Sequence, residues 1–340
     1  MRLLLLTTLS VLTINSYSQA DSSSHYVHKG IQEKEKGRLM EAFKAYEKAY
    51  SYNKDVVIVK DLASLLYDLR RYPQARERYL EAEKLGDKSV DTYRRLMEIS
   101  FNLRQYPDAI KYAQLVKKTD PAAKTAYFIG KAHYEGENYG EAIKFLNIAA
   151  QEDEKNAEVP YMIGRAHADM MNYKAALPFF EKALSLDPAN NRWMYETALM
   201  YYAMHDDKNS LKYLLLAAEK GYKRDNEYLE NLSIAYLNNK ETDKGLEILA
   251  ESLKRRPTDV NLLNMIAEAN YDAKRFDEAI KYFDQLFALD KENASALYMI
   301  GMSYQNKGDK QKGQAICDRA IQMDPSLAKN KQKTSMPGGL

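Results

Sequence analysis

Apolar residues recur along this sequence with the spacing of an amphipathic helix, and the pattern returns at a nearly fixed period. Within one period the spacing is i, i+3, i+4, i+7, which is typical of a helix with one buried face. It is seen in Ala176, Phe179, Phe180, Ala183 and Leu184. A small residue marks the same place in each period, with gaps of 33 to 35 residues: Ala42, Ala75, Ala109, Ala142, Ala176, Ser210, Gly245, Ala279 and Gly313. These nine places predict nine copies of a unit with two amphipathic helices.

Small residues also stand twelve places before and seven places after these positions in nearly every copy. Two helices of a hairpin can approach closely only where the side chains at their crossing are short. Turn residues separate the two helices, as at Gly37, Gly136 and Gly308. The second helix often ends before a proline, as at Pro121 and Pro188, because proline cannot continue a helix. The sequence therefore predicts an all-α fold of stacked helical hairpins.

This pattern resembles the tetratricopeptide repeat, a helix-turn-helix unit of 34 residues. The nine copies lie near residues 23–55, 56–89, 90–122, 123–156, 157–190, 191–225, 226–259, 260–293 and 294–327. The resemblance implies one right-handed superhelical solenoid over residues 21–327, since each unit contacts mainly its neighbours. A single solenoid replaces the two domains that a length of 340 residues would suggest. In this family the first helix of each repeat lines a concave groove that binds a peptide or a helix of a partner protein.

Carried onto this chain, the family's groove positions predict a partner-binding groove on repeats two to six. Its residues are Lys60, Arg94, Tyr127, Lys131, Tyr134, Tyr161, Arg165, Arg192, Tyr195 and Tyr202. Tyr and Arg are enriched at binding hot spots, which favours this surface. The same helices carry Lys124 and the carboxylates Asp68, Asp91, Glu98, Glu135, Glu158 and Asp169, so the groove is mixed in charge. In repeats seven and eight the lining becomes acidic without a cation: Glu227, Glu230, Glu268 and Asp272. Most of the 27 tyrosines are expected to pack between helices instead.

Charge and cysteine content narrow the classes of function. Fifty Lys and Arg residues against 48 Asp and Glu residues give a net charge of +2. No clustered basic stripe accompanies it, so we expect no nucleic-acid partner. A single cysteine excludes an internal disulfide and a zinc site built on several cysteines. With 45% hydrophobic residues the chain can bury a core, which excludes a disordered polyampholyte.

Residues 1–20 read as a Sec-type signal peptide. Arg2 precedes an apolar run from Leu3 to Leu12, and small residues precede a cleavage point before Asp21. The run is shorter than the roughly 20 apolar residues that span a bilayer. No cysteine lies near the cleavage point, so we expect an exported protein of the bacterial periplasm and not a lipoprotein. Residues 328–340 are predicted to form a flexible tail.

The sequence predicts a non-catalytic interaction scaffold of the cell envelope, in an assembly for outer-membrane biogenesis or secretion, with no cofactor, metal or catalytic residue. No glycine-rich phosphate loop is present. His133 and His167 take equivalent places in neighbouring repeats where an aromatic residue usually stands, so we expect them to pack. They are also the centre of an open alternative, a metal-binding or hydrolytic factor. A second open alternative is a structural envelope protein that self-associates through its end helices, because no polar capping helix follows Pro325.

Overall fold

The computed structural model describes residues 22–328, and within that range the secondary structure is helical, without a strand. The predicted signal peptide, residues 1–20, lies outside the described residues, as do residues 329–340 of the predicted tail. No helix of the described part is long and apolar enough to cross a membrane. The helices form two compact units, which divide between Leu186 and Asp187.

The first unit contains ten helices in five hairpins, and each hairpin packs against the next along the chain. The helices are α1 (residues 22–35), α2 (Leu39–Tyr52), α3 (Val56–Asp68), α4 (Tyr72–Lys84), α5 (Val90–Asn102), α6 (Tyr106–Thr119), α7 (Ala126–Glu135), α8 (Tyr139–Glu152), α9 (Glu158–Asp169) and α10 (Tyr173–Leu186). Odd-numbered helices are the first helices of the repeats, and even-numbered helices are the second.

The second unit contains the remaining four hairpins. Its helices are α11 (Asn191–Ala203), α12 (Asp207–Glu219), α13 (Asn226–Asn238), α14 (Thr242–Arg255), α15 (Val260–Asp272), α16 (Phe276–Leu289), α17 (Ala294–Lys307) and α18 (Lys310–Met323), followed by a 3₁₀ turn, Pro325–Leu327. At the start of α11, the backbone N–H of Trp193 donates to the side chain of the N-cap residue Asn190 at 3.2 Å. The indole of Trp193 is buried at this helix start. The all-α repeat fold predicted from the sequence is confirmed.

Small residues at the helix crossings let the two helices of a hairpin approach closely, as the sequence predicted. Ala142 and Ala176 are fully buried. At Gly164 the partner helix comes so close that an added Cβ would lie 2.9 Å from the ring of Phe180. Because the two helices approach this closely, apolar side chains from both helices interlock and are buried between them.

The turn of every hairpin contains one residue in the left-handed helical region. These residues are Gly37, Arg70, Arg104, Glu137, Met171, His205, Lys240, Lys274 and Gly308, with φ between 57° and 112°. The turn after α3 shows the reason: the N–H of Arg71 donates to the carbonyl of Leu66 at 2.9 Å, and that of Arg70 to Tyr67 at 2.9 Å. This Schellman motif satisfies the helix-end carbonyls and needs a positive φ. Gly136 lies in the turn, as expected from sequence, and caps α7 with φ −88°, while Glu137 takes the left-handed place.

Candidate functional site

The residues predicted to line a groove lie on first helices, seven of them in the first unit and three on α11 of the second. We call the exposed and half-buried side chains of α3, α5, α7 and α9 the first-helix face of the first unit.

Hydrogen bonds join successive first helices of the first unit. The hydroxyl of Tyr67 on α3 donates to Glu98 on α5 at 3.1 Å, and that of Tyr134 on α7 donates to Asp169 on α9 at 2.5 Å. Arg95 completes the first contact, since it donates to Glu98 at 3.2 Å and covers the Tyr67 ring at 4.5 Å. These contacts link α3 to α5 and α7 to α9.

Tyr67 and Arg95 were not among the residues predicted from sequence. Tyr67 occupies the same place in its repeat as Tyr134, so the repeat period contained a signal that would have found it. The position of Arg95, one residue after Arg94, gave no such signal. Burial and the nearby Glu98 carboxylate raise the pKa of Tyr67, so its hydroxyl keeps the proton that it donates.

Lys60 is held by the neighbouring repeat. Its ammonium lies 2.9 Å from the carboxylate of Asp87 and 3.3 Å from the hydroxyl of Ser89, in the connection before α5. Burial opposes ionisation of Asp87, but hydrogen bonds from Thr92, Lys60 and Ser89 outweigh it and lower its pKa to about 2. Lys60 therefore contributes to the stability of the face, and its charge is already partly neutralised.

Two other predicted cations of this face reach solvent more freely. Arg94 on α5 is exposed, and Lys131 on α7 is half-buried with its ammonium 5.6 Å from the centre of the Phe101 ring. Tyr127 is half-buried, and burial with a smaller effect of Glu158 raises its pKa to about 12. Arg94, Tyr127 and Lys131 thus offer a cation, a neutral phenol and a second cation on neighbouring helices.

The structure buries Tyr161. Its side chain is 9% exposed, and its ring meets the edge of Phe180 with centroids 5.8 Å apart. Arg165, one turn later, donates to the Tyr161 hydroxyl at 3.1 Å. Of this pair, the half-buried Arg165 is the one whose side chain reaches the surface, while Tyr161 supports it from below.

In the second unit, Tyr195 is also a packing residue. Its hydroxyl donates to Glu227 at 3.0 Å and accepts from Asn231 at 2.7 Å, and its ring stacks on Tyr222 at 4.5 Å. Burial, followed by the Glu227 contact, raises the pKa of Tyr195. Of the other two predicted residues on α11, Arg192 donates to Glu196 at 2.9 Å, and Tyr202 remains 44% exposed.

The expectation of an acidic lining without a cation in repeats seven and eight is wrong in one respect. Arg256, from the connection before α15, donates to Glu230 at 2.5 Å and to Asp259 at 2.8 Å. Arg256 was not among the predicted lining residues because it lies outside the first helices, in the connection between α14 and α15. Arg256 therefore pairs with Glu230 and Asp259, and of the predicted acidic lining it contacts Glu230.

His133 and His167 pack as predicted. The His133 ring stacks on Phe145 at 5.5 Å, and the His167 ring stacks on Phe179 at 5.7 Å. Burial lowers the pKa of His133. Cys317 is buried in the hairpin of α17 and α18. Among residues 22–328, no three His, Cys, Asp or Glu side chains are grouped closely enough to hold a metal ion.

The hairpins, their small-residue crossings and the linked first helices define an all-helical repeat protein. The model of the tetratricopeptide repeat family matches residues 60–124, 161–221 and 264–328, more than half of the chain. The chain therefore belongs to the tetratricopeptide repeat family. A model described as anaphase-promoting complex, cyclosome, subunit 3 matches residues 102–183. Such repeats indicate a protein–protein interaction scaffold, and this fold is typically non-catalytic.

Solved structures agree with this fold. The C-terminal part of a tetratricopeptide repeat protein from Cytophaga hutchinsonii is 18% identical, with a TM-score of 0.58, and the alignment covers 70% of this chain and 98% of that one. A tetratricopeptide repeat protein from Parabacteroides merdae is 12% identical, with a TM-score of 0.50 and coverage of 73% and 99%. No curated protein matches the sequence significantly.

Proposed function

We propose that the protein binds an extended peptide or a helix of a partner protein on the first-helix face of its first unit. The observation that carries the proposal is that some side chains of that face link neighbouring helices while another remains exposed to solvent. The hydrogen bond from Tyr67 to Glu98 links α3 to α5, and the bond from Tyr134 to Asp169 links α7 to α9. Arg94 remains exposed beside this fixed framework.

A rigid framework favours binding because little conformational freedom is lost when the partner docks. Arginine and tyrosine add large contact areas with a polar tip, and they dominate the energy of many interfaces. Arg94, Tyr127, Lys131 and Arg165 are therefore the residues on which we place the contact. Lys60, Tyr134 and Tyr161 support the face through their own contacts with neighbouring residues.

Charge reversal on the face tests this proposal. We expect the double variant Arg94→Glu with Lys131→Glu to lose its partners, because both changes place a carboxylate where a cation meets the ligand. The matched control is Lys84→Glu with Lys118→Glu, which changes the net charge equally on the second helices α4 and α6, where both lysines are exposed.

The measurement is crosslinking in the native envelope followed by affinity purification and quantitative mass spectrometry. The proposal requires that proteins recovered with the wild type and with the control be depleted in the face variant. Equal recovery with all three proteins would contradict it. Circular dichroism verifies that both double variants keep the wild-type helix content.

We further propose that the scaffold works in the bacterial periplasm, in an assembly that serves outer-membrane biogenesis or secretion. The signal-peptide pattern of residues 1–20 supports this location. Osmotic-shock fractionation combined with intact-mass measurement tests it. A periplasmic protein that begins at Asp21 is the expected result, whereas a cytoplasmic protein that retains its leader would refute the location.

A further inference from the structure

Two methionines stand side by side at the tip of the fifth hairpin, between α9 and α10. Met171 is 78% exposed, which makes it the most exposed methionine among residues 22–328, and Met170 is 44% exposed. Met162 on α9 is by contrast 6% exposed, and Met97 on α5 is 9% exposed. The thioethers at this tip are therefore open to small molecules from the solvent, whereas those of the core are covered.

Backbone hydrogen bonds hold this turn without help from the two side chains. The N–H of Met171 donates to the carbonyl of Ala168 at 2.8 Å, and that of Asn172 donates to His167 at 2.9 Å, as in the Schellman motif after α3. The other eight hairpins put glycine or a charged or polar residue at the place of Met171: Gly37, Arg70, Arg104, Glu137, His205, Lys240, Lys274 and Gly308. A polar side chain at this place is therefore compatible with the fold.

The characteristic reaction of an exposed thioether is the uptake of one oxygen atom from a peroxide. The sulfur lone pair attacks one oxygen of hydrogen peroxide, the O–O bond breaks, and an S–O bond forms. The oxygen on sulfur then gives its proton to the departing hydroxide, which leaves as water. The sulfur is oxidised by two electrons and the peroxide is reduced by two. Hydrogen peroxide is uncharged, so the exposed Asp169 and Lys174 beside the turn neither attract nor repel it.

We propose that the Met170–Met171 turn is a site of reversible oxidation by peroxide, and that the sulfoxide forms there without loss of the fold. A sulfoxide is polar where the thioether is apolar, so the reaction gives this tip the polar character of the other hairpin tips. The thiol of Cys317, the only cysteine of the sequence, is buried and does not compete. The turn lies outside the first-helix face, and the proposal is independent of the proposed function.

Peptide mapping of the purified protein after brief treatment with hydrogen peroxide tests this site. Cleavage after Lys and Arg separates the two kinds of methionine, since residues 166–174 contain Met170 and Met171 and residues 156–165 contain Met162. We expect peptide 166–174 to gain oxygen about tenfold faster than peptide 156–165, because the reaction requires access to the sulfur. The variant Met171→Leu should lose more than half of the uptake in peptide 166–174, because the less exposed Met170 is then its only thioether.

Concentrated urea provides the control for burial, because in the unfolded chain the two peptides should react at similar rates. Circular dichroism of the oxidised protein should show the helix content and unfolding midpoint of the untreated protein, and methionine sulfoxide reductases should remove the added oxygen. Equal rates in the folded protein, or a rate difference that persists in urea, would overturn the proposal. So would a sulfoxide that the reductases leave in place, or a loss of helix content when peptide 166–174 is oxidised and peptide 156–165 is not.

Discussion

Seven hairpin turns place a residue with a Cβ atom in left-handed backbone, where glycine meets no steric penalty. Lys274 is one of them, with φ 61° and an exposed side chain. We expect Lys274→Gly to raise the free energy of unfolding by about 0.5–1 kcal/mol, because relief of strain exceeds the added entropy of the unfolded glycine. Urea denaturation followed by circular dichroism measures the change.

The control for this prediction is Lys274→Ala, which removes the same charge and keeps the Cβ atom. It should leave the midpoint near that of the wild type. If alanine stabilises as much as glycine, the gain comes from the lost lysine side chain and the strain explanation is wrong.

Asp87 makes part of the stability depend on pH. Its pKa in the folded protein is about 2, below the ordinary value of 3.8. The contribution is therefore fully present above about pH 4 and is lost as the pH falls toward 2. We expect Asp87→Asn to be less stable than the wild type at neutral pH, with a difference that shrinks between pH 4 and pH 2. Denaturation curves across this range check it, and a constant difference would contradict it.

The chemistry of the first-helix face was only partly predictable from sequence. The repeat period correctly places Lys60, Arg94 and Lys131 on first helices. It cannot tell which tyrosine is buried, since Tyr161 and Tyr127 share one repeat position and yet only Tyr161 is buried, against Phe180. The burial of such a tyrosine depends on the size of the side chain that faces it from the adjacent helix. The spacing of residues along one helix gives no information about that size.

At the scale of the hairpin, close packing makes some glycines irreplaceable. A Cβ at Gly301 of α17 would lie 2.5 Å from the Cys317 sulfur and 2.8 Å from the carbonyl of Gly313. We expect Gly301→Ala to destabilise the protein by about 1–3 kcal/mol, the usual cost of overpacking. Gly140 of α8 has no atom within 4 Å of such a Cβ, so Gly140→Ala should instead stabilise by about 0.5–1 kcal/mol. Thermal unfolding compares the two, and equal effects would refute this packing argument.

The helices themselves were largely predictable from the sequence, because the apolar residues of both helices in a hairpin follow the 3.6-residue period of an α-helix. The turns were less so. The sequence correctly places Gly136 in a turn but does not show that the left-handed residue is Glu137, because the hydrogen bonds at the helix end fix the position of that residue whatever its side chain. Residue type alone could not reveal left-handed Arg, Glu, Met, His and Lys residues.

At the scale of the whole molecule, stability should vary along each unit. A hairpin inside a stack is held by two neighbours, whereas the first described hairpin, α1 and α2, is held by α3 on one side. We expect amide hydrogens of α1 to exchange faster than those of α5 and α7. Hydrogen exchange followed by mass spectrometry measures this gradient, and uniform protection across the first unit would contradict it.

The buried Trp193 is the only tryptophan of the sequence, and it lies at the start of the second unit. Its emission spectrum should shift to longer wavelength when water reaches the indole, while the circular dichroism signal sums over every helix of the protein. The chain thus carries a native spectroscopic label. Without any added dye, fluorescence follows the melting of α11 and its surroundings, and its comparison with the total helical signal shows whether this site melts before or after the average helix.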